Sequence, residues 1–249
     1  MTAQLDQHVS GILLDVEGTT TPIDFVYKVL FPFALSHAAH FLQYHTSPLD
    51  VRADLEAMRQ ENLADARQGL APPPFADADP GAEVESAVTY MEWLTARDRK
   101  SPAFKSLQGR IWEIGYRSGH LQAEVFPDVP SALARWQQQG QKICIFSSGS
   151  VLAQKLLFAH TIAGDLTPHI GSYFDTTTAG SKADPASYKK IADTCQLDPP
   201  EIVFISDIVA ELDAAHTVGM KTLLSVRPGN RPQPVNPHTV IHSFDEIFS

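Results

Sequence analysis

The chain has 249 residues, 43% of them hydrophobic and 19% charged, with a formal net charge of -10. Such a balance suits a soluble globular protein built as one large domain or as a core plus an insert. No block of Lys or Arg interrupts the acidity, which argues against a nucleic-acid partner, whereas a small anionic substrate needs only a few local donors.

The first eight residues, Met-Thr-Ala-Gln-Leu-Asp-Gln-His, lack the basic segment and apolar core of a signal peptide. No apolar run in the sequence approaches the roughly 18 residues of a membrane span. A cytoplasmic protein without a membrane partner is expected, and no heptad or long edge-strand pattern suggests association, so a monomer is expected. Residues 11–20 read Gly-Ile-Leu-Leu-Asp-Val-Glu-Gly-Thr-Thr. The apolar run followed by Gly18 predicts a buried strand emptying into a tight loop. Alternation along a strand then places Asp15 and Glu17 on the same side.

Residues 23–70 show helical spacing of apolar positions (Phe25, Val29, Phe33, then Leu55, Met58, Leu63), broken at Ser47-Pro48. A Pro-rich linker, Ala71-Pro-Pro-Pro-Phe75 and Asp77-Ala-Asp-Pro-Gly81, precedes two more predicted helices at 83–97 and 104–117. His37, His40 and His45 are partly in helical register but have no accompanying acid or Cys pattern, so no zinc site is expected. After Val125 the texture changes. A helix following Pro127 and Asp128 closes at Gly140, and Lys142-Ile-Cys-Ile-Phe146 predicts a second buried strand ending at Ser147-Ser-Gly-Ser150. A helix at 151–159, a short apolar segment at Tyr173-Phe174 and a helix at 185–196 follow. Glu201-Ile-Val-Phe-Ile205 is the third predicted strand, ending at Ser206-Asp207; Lys221-Thr-Leu-Leu-Ser-Val226 is the fourth, and Val240-Ile241 a candidate fifth. The two cysteines, Cys144 and Cys195, have neither metal-ligand spacing nor a disulfide framework, in keeping with a reducing compartment.

Strands alternating with helices imply an α/β fold with a parallel sheet covered on both faces. Residues 1–20 and 121–249 are expected to form that core, and residues 21–120 a helical domain placed to cover the sheet's carboxyl edge. Ligands of open α/β sheets bind at that edge. There the predicted strands end in Asp15 and Glu17, in Ser147 and Ser148, and in Asp207. The serine loop and the first N–H groups of the following helix would cradle a phosphate. Asp15 and Asp207 offer oxygen ligands to a hard cation such as Mg²⁺. Glu211, four residues after Asp207, is a candidate support for that site, with favourable charge at a helix N-terminus as its preferred reading.

Asp15, Glu17, Ser147, Lys182 and Asp207, in this order and strand context, resemble the haloacid dehalogenase superfamily. The resemblance implies a Rossmann-like core with a helical cap inserted after the first strand. It also implies a nucleophilic Asp15, a general acid–base Glu17, Lys182 and Ser147 with Ser148 on the phosphate, and Mg²⁺ at Asp15, Glu17 and Asp207. Glu17 stands where most of that superfamily has Asp. Asp-Val-Glu-Gly-Thr-Thr-Thr-Pro-Ile, Leu107-Gln-Gly-Arg-Ile-Trp112, Gly115-Tyr116, Val125-Phe-Pro-Asp128, Phe146-Ser-Ser-Gly-Ser150, Gln154-Lys-Leu-Leu-Phe158 and Phe174-Asp175 are similar to the enolase-phosphatases of methionine salvage, the acireductone synthases. That resemblance implies enolisation and dephosphorylation of 2,3-diketo-5-methylthiopentyl-1-phosphate to 1,2-dihydroxy-3-keto-5-methylthiopentene. Glu17 is then also the candidate base for enolisation. Trp112 and Tyr116, four apart on one helix face, are read as helix core, with contact to the thioether tail as the other use. Two alternatives are a Mg²⁺-dependent phosphatase of another small ester and a non-catalytic phosphate-binding module.

Overall fold

The structure, a computed structural model, describes residues 9–45, 48–76, 79–97 and 99–248. The first eight residues, Ser47 at the expected helix break and Asp77-Ala78 of the linker lie outside the described residues.

Gly11–Leu14 form β1, buried at every position. A π-helical stretch, Phe25–Leu30, leads into α1 (Phe31–His45), and α2 (Leu49–Arg67), α3 (Pro80–Ala96) and α4 (Pro102–Arg117) follow. Next come α5 (Val129–Gln138), β2 (Lys142–Phe146), α6 (Val151–Ala159), β3 (Ser172–Phe174) and α7 (Pro185–Cys195). The chain ends with β4 (Ile202–Ser206), α8 (Val209–Thr217), β5 (Lys221–Ser225) and β6 (Thr239–Ile241). Three starts share one local grammar, a capping acid or serine followed by Pro at the first helical position. Asp79 accepts from Gly81 and Ala82 N–H, Ser101 from Phe104 N–H, and Asp184 from Ala186 N–H. Each such cap contributes about 1 kcal/mol, and the Pro sacrifices no bonded N–H there.

The chain divides into two compact units, one made of the residues up to Tyr27 with those from Gln122 onward, the other of Lys28–Leu121. In the helical unit Trp112 and Tyr116 are buried, and the Trp112 indole N–H donates to the Leu30 carbonyl at 2.8 Å while its ring lies against Phe31. Both therefore serve as core of that unit. Asp65, fully buried, accepts from the Tyr90 hydroxyl at 2.7 Å and pairs with Arg99. One correction concerns apolar length. The helical run Phe25–His45, with mean hydropathy 1.2, is long and apolar enough to cross a membrane by length and composition alone. Lys28, Ser36, His37 and His40 interrupt its apolar residues, so that no single unbroken run reaches that length; Ala34, Ala38, Phe41 and Leu42 are its buried stripe in α1.

In the α/β unit all six strands are parallel, in the order β3-β2-β1-β4-β5-β6. The central strand β1 pairs with both β2 and β4, which explains its unbroken apolar run. The short apolar segment at Tyr173-Phe174 proves to be part of β3: three residues, Ser172–Phe174, of which only Phe174 is buried, make too short a signal for strand periodicity. Tyr188 of α7 packs between Phe146 and Phe204, with ring centroids 5.6 and 5.1 Å away, and its hydroxyl donates to the Lys182 carbonyl at 2.8 Å. Core packing thus anchors the loop that carries Lys182.

Asp128 immediately precedes α5 but makes no side-chain cap. Its carboxylate instead takes the Arg227 guanidinium at 2.8 Å, the Phe244 N–H at 2.6 Å and the Ser243 hydroxyl at 3.1 Å, while Arg227 lies between the rings of Phe126 and Phe244. Burial works against the charge, yet the Arg227 bond and the Phe244 N–H hold Asp128 below its ordinary range. An acid shifted down stabilises the fold above its unfolded pKa, and that gain disappears as pH falls through the folded value. Replacing Arg227 by Met strands this buried charge and is expected to cost about 3–5 kcal/mol at neutral pH. Urea unfolding checks it, and the double variant with Asp128→Asn should recover part of the loss and blunt the acid transition.

Candidate functional site

The strand order reverses direction across β1 and β4, so the crevice between their carboxyl ends is the topological switch point. Asp15 follows β1 there, its N–H donating to the Ile205 carbonyl at 3.0 Å, and its side chain is buried. Lys182 donates to Asp15 Oδ1 at 2.5 Å and lies 2.7 Å from Glu211 Oε2. The Ser206 hydroxyl reaches Asp15 Oδ2 at 3.5 Å and Glu211 Oε2 at 2.9 Å. Asp207 follows directly, at the end of β4, and is buried.

Glu17 faces a different partner. The Ser147 hydroxyl lies 3.3 and 3.4 Å from its two carboxylate oxygens and accepts from Gly149 N–H at 2.9 Å. All five residues of the expected motif thus lie at one edge of the sheet, with Ser148 exposed on the β2–α6 loop. The N–H groups expected to cradle a phosphate are partly engaged: Val151 N–H donates to Asp175 and Ala153 N–H to Ser150. Asp175, at the end of β3, also accepts from the Thr177 and Thr178 N–H groups and so fastens its own loop to the start of α6.

The loop after β1 is built for close approach. Thr19, Thr20 and Thr21 all donate their N–H to the Val16 carbonyl, at 3.2, 3.0 and 3.0 Å. Gly18 has φ +73, and a Cβ there would sit 2.5 Å from Asp207 Oδ2 and 2.9 Å from Asn230 Oδ1. Only glycine meets both demands. Gly18→Ala is expected to displace Asp207 and lower kcat roughly 100-fold, since an ångström of misplacement has that effect. Steady-state kinetics with a circular dichroism control checks this.

Glu211 and Asn230 complete the arrangement, the first in the supporting place that its position four residues after Asp207 offers, the second without any sequence signal. Glu211 does lie in the first turn of α8, but its carboxylate is bonded to Lys182 and Ser206 inside the site rather than serving only the helix end. Asn230 uses both amide hydrogens, one on the Gly18 carbonyl at 2.9 Å and one on the Ser225 carbonyl at 3.1 Å, and so ties the loop after β1 to β5. The segment Ser225-Val-Arg-Pro-Gly-Asn230 carries no local pattern that announces this.

Electrostatically the site is overloaded with acid. Asp15, Glu17, Asp207 and Glu211 share one ammonium. Burial first and Asp15 second push Asp207 to about 7 and Glu211 to about 7, and the same two causes raise Glu17. Burial alone would pull Lys182 down, but Asp15, Glu211 and Glu17 outweigh it and raise it. Uncompensated negative charge and an all-oxygen donor set fit a hard divalent cation. Among the described residues no three His, Cys, Asp or Glu side chains form a ready-made cage. Mg²⁺ characteristically takes one or two carboxylates and fills the rest with water and substrate phosphate.

The fold and this edge define a hydrolase of the haloacid dehalogenase type: residues 9–219 match the family of haloacid dehalogenase-like hydrolases. The chain is 50% identical to the enolase-phosphatase E1 of Synechococcus elongatus, covering 96% of this chain and 98% of that one. It is 41% identical to the enolase-phosphatase E1 of Pseudomonas fluorescens, over 96% and 97% of the two chains. Among solved structures, the UTR4 protein of Saccharomyces cerevisiae is 33% identical with a TM-score of 0.75, over 95% of this chain and 99% of that one. The chain belongs to the enolase-phosphatase E1 family of the haloacid dehalogenase-like hydrolases.

Proposed function

We propose that this chain is a cytoplasmic, Mg²⁺-dependent bifunctional enolase-phosphatase. It converts 2,3-diketo-5-methylthiopentyl-1-phosphate to 1,2-dihydroxy-3-keto-5-methylthiopentene and phosphate. The observation that carries the reading is the Asp15–Lys182–Glu211 cluster beside Asp207, in a chain half identical to an enolase-phosphatase over nearly its whole length.

Asp15 Oδ attacks phosphorus in line with the leaving enol oxygen and forms an aspartyl phosphate. The ammonium of Lys182, held by Asp15 and Glu211, offsets the repulsion between a carboxylate and a phosphate dianion and stabilises the oxygens in transfer. Glu17, raised by burial and by Asp15, is suited to carry the proton that the leaving oxygen needs. Having given it up, the same carboxylate takes a proton from the water that hydrolyses the aspartyl phosphate. Ser147, against Glu17, and Ser148 orient the phosphate, and Glu17 is also the candidate base for the preceding enolisation. The carboxylates of Asp15 and Asp207 would hold Mg²⁺. When bound, this ion supplies Lewis-acid stabilisation to phosphoryl and dicarbonyl oxygens.

The diketone phosphate tests the proposal directly. A transient enol absorbance in the ultraviolet together with phosphate release is expected; phosphate release without the enol signal would leave a simple phosphatase. Mg²⁺ has its own readout. At a hundred times its Kd it should stabilise the chain by about 2.7 kcal/mol, raising Tm by roughly 5–11 °C. Asp207→Asn should show little of that shift in a thermal melt.

A further inference from the structure

The two cysteines of the chain take no part in the chemistry above, and they come from distant stretches. Cys144 lies midway along β2, opposite Leu13 of β1 and Ser172 of β3, and Cys195 is the last residue of α7. Their sulfurs are 3.3 Å apart and both thiols are free. They line a small cavity with Gly11, Lys142, Ile191 and Leu197, whereas the phosphate site lies beyond the carboxyl ends of the strands.

We propose that Cys144 and Cys195 form a peroxide-sensitive dithiol that closes to an intramolecular disulfide, with Cys195 attacking and Cys144 resolving. Three observations support it. The sulfurs need to approach by only roughly 1.3 Å to reach bonding distance. Cys195 ends its helix, and Gln196 after it adopts a left-handed turn at φ +54, so the movement falls on a helix end rather than on helix interior. The two thiols are also unequal. The Lys142 ammonium is anchored on the Cys195 carbonyl at 2.9 Å. The Cys144 thiol bonded to Cys195, together with that ammonium, lowers Cys195, while Cys144 is raised by its bond to Cys195 and by burial. Thiolate character favours Cys195 as the nucleophile, and its 9% exposure exceeds the 6% of Cys144.

The chemistry balances with hydrogen peroxide as oxidant. The Cys195 thiolate attacks one peroxide oxygen, the O–O bond breaks, and hydroxide leaves, so that sulfur is oxidised to the sulfenic acid and the peroxide reduced. The Cys144 sulfur then attacks the sulfenic sulfur, the S–O bond breaks, and the thiol proton leaves with the hydroxyl as water. Two thiols and one peroxide give one disulfide and two waters. The sequence holds no third cysteine, so this pairing is the single intramolecular one available. The resulting ring encloses Ser147, Asp175 and Lys182, and joins the segment holding the candidate phosphate site into a covalent loop.

Peroxide added to the reduced full chain tests the assignment. Thiols counted in denaturant should fall from two to none, the intact mass should drop by two hydrogens, and the chain should stay single on a non-reducing gel. Dithiothreitol should reverse all three changes, and the oxidised form should melt about 5–10 °C higher. In Cys144→Ser, dimedone should trap a sulfenic acid on Cys195; in Cys195→Ser, Cys144 should stay unlabelled under the same exposure. Retention of both thiols, disulfide-linked dimers, or preferential labelling of Cys144 would overturn the proposal.

Discussion

Asp15→Asn is expected to reduce phosphate release by roughly 10⁴–10⁶-fold in kcat, the range seen when a covalent nucleophile is removed. Asn is nearly isosteric with Asp, so the packing at the end of β1 should persist, and circular dichroism should show an intact fold. What disappears is a carboxylate oxygen, the group proposed to bond phosphorus, and half of the charge that holds Lys182 at 2.5 Å. Acid quench of wild-type turnover should trap a phosphorylated peptide containing residues 11–20, and the variant should yield none. Turnover near the wild-type level would remove the aspartyl-phosphate mechanism.

Lys182→Met carries the second large effect, in stability as well as in rate. The ammonium is buried and sits 2.5 Å from Asp15 and 2.7 Å from Glu211. Met fills similar volume but leaves two buried acids, with Asp207 and Glu17 nearby, facing one another. Breaking a buried pair on one side costs about 3–5 kcal/mol, or roughly 6–20 °C in Tm for a chain of this size. Differential scanning calorimetry of the metal-free variant checks this. Phosphatase activity should fall at least 1000-fold on the same logic that assigns several kcal/mol to preorganised charge at a transferring group. A variant that melts like wild type would show that the cluster is not held by this ammonium.

Much of the fold is legible in the one-dimensional pattern. Short buried strands alternating with helices announce the parallel sheet, and caps such as Asp184-Pro185 mark where helices begin. The pattern fails where the signal is short or ambiguous. Ser172–Phe174 is too brief to register as a strand, although its carboxyl end delivers Asp175 to the start of α6. Asp128 has the position of a helix cap and spends its carboxylate on Arg227 instead, 99 residues away. Glu211 satisfies the rule for acids in a first helical turn, so the helix end outranked the site as its reading, and only the fold shows it beside Lys182. Asn230 and the Cys144–Cys195 pair carry no local signature at all, because each depends on groups far along the chain.

By itself the sequence determined the α/β class and the helical insertion after the first strand, which are properties of short windows: periodicity, turn chemistry and the residue type at a strand end. The order Asp15, Glu17, Ser147, Lys182, Asp207 points to phosphoryl transfer through its resemblance to the haloacid dehalogenases. Only the tertiary structure decided which of those groups meet and in what state. The strand order β3-β2-β1-β4-β5-β6 sets β1 between β2 and β4, and so brings positions more than a hundred residues apart to one edge. Burial there strips the acids of water, and their mutual repulsion then raises Asp207 and Glu211 to about 7. Desolvation and Coulomb coupling depend on distance in space, a quantity that does not exist until the sheet has formed.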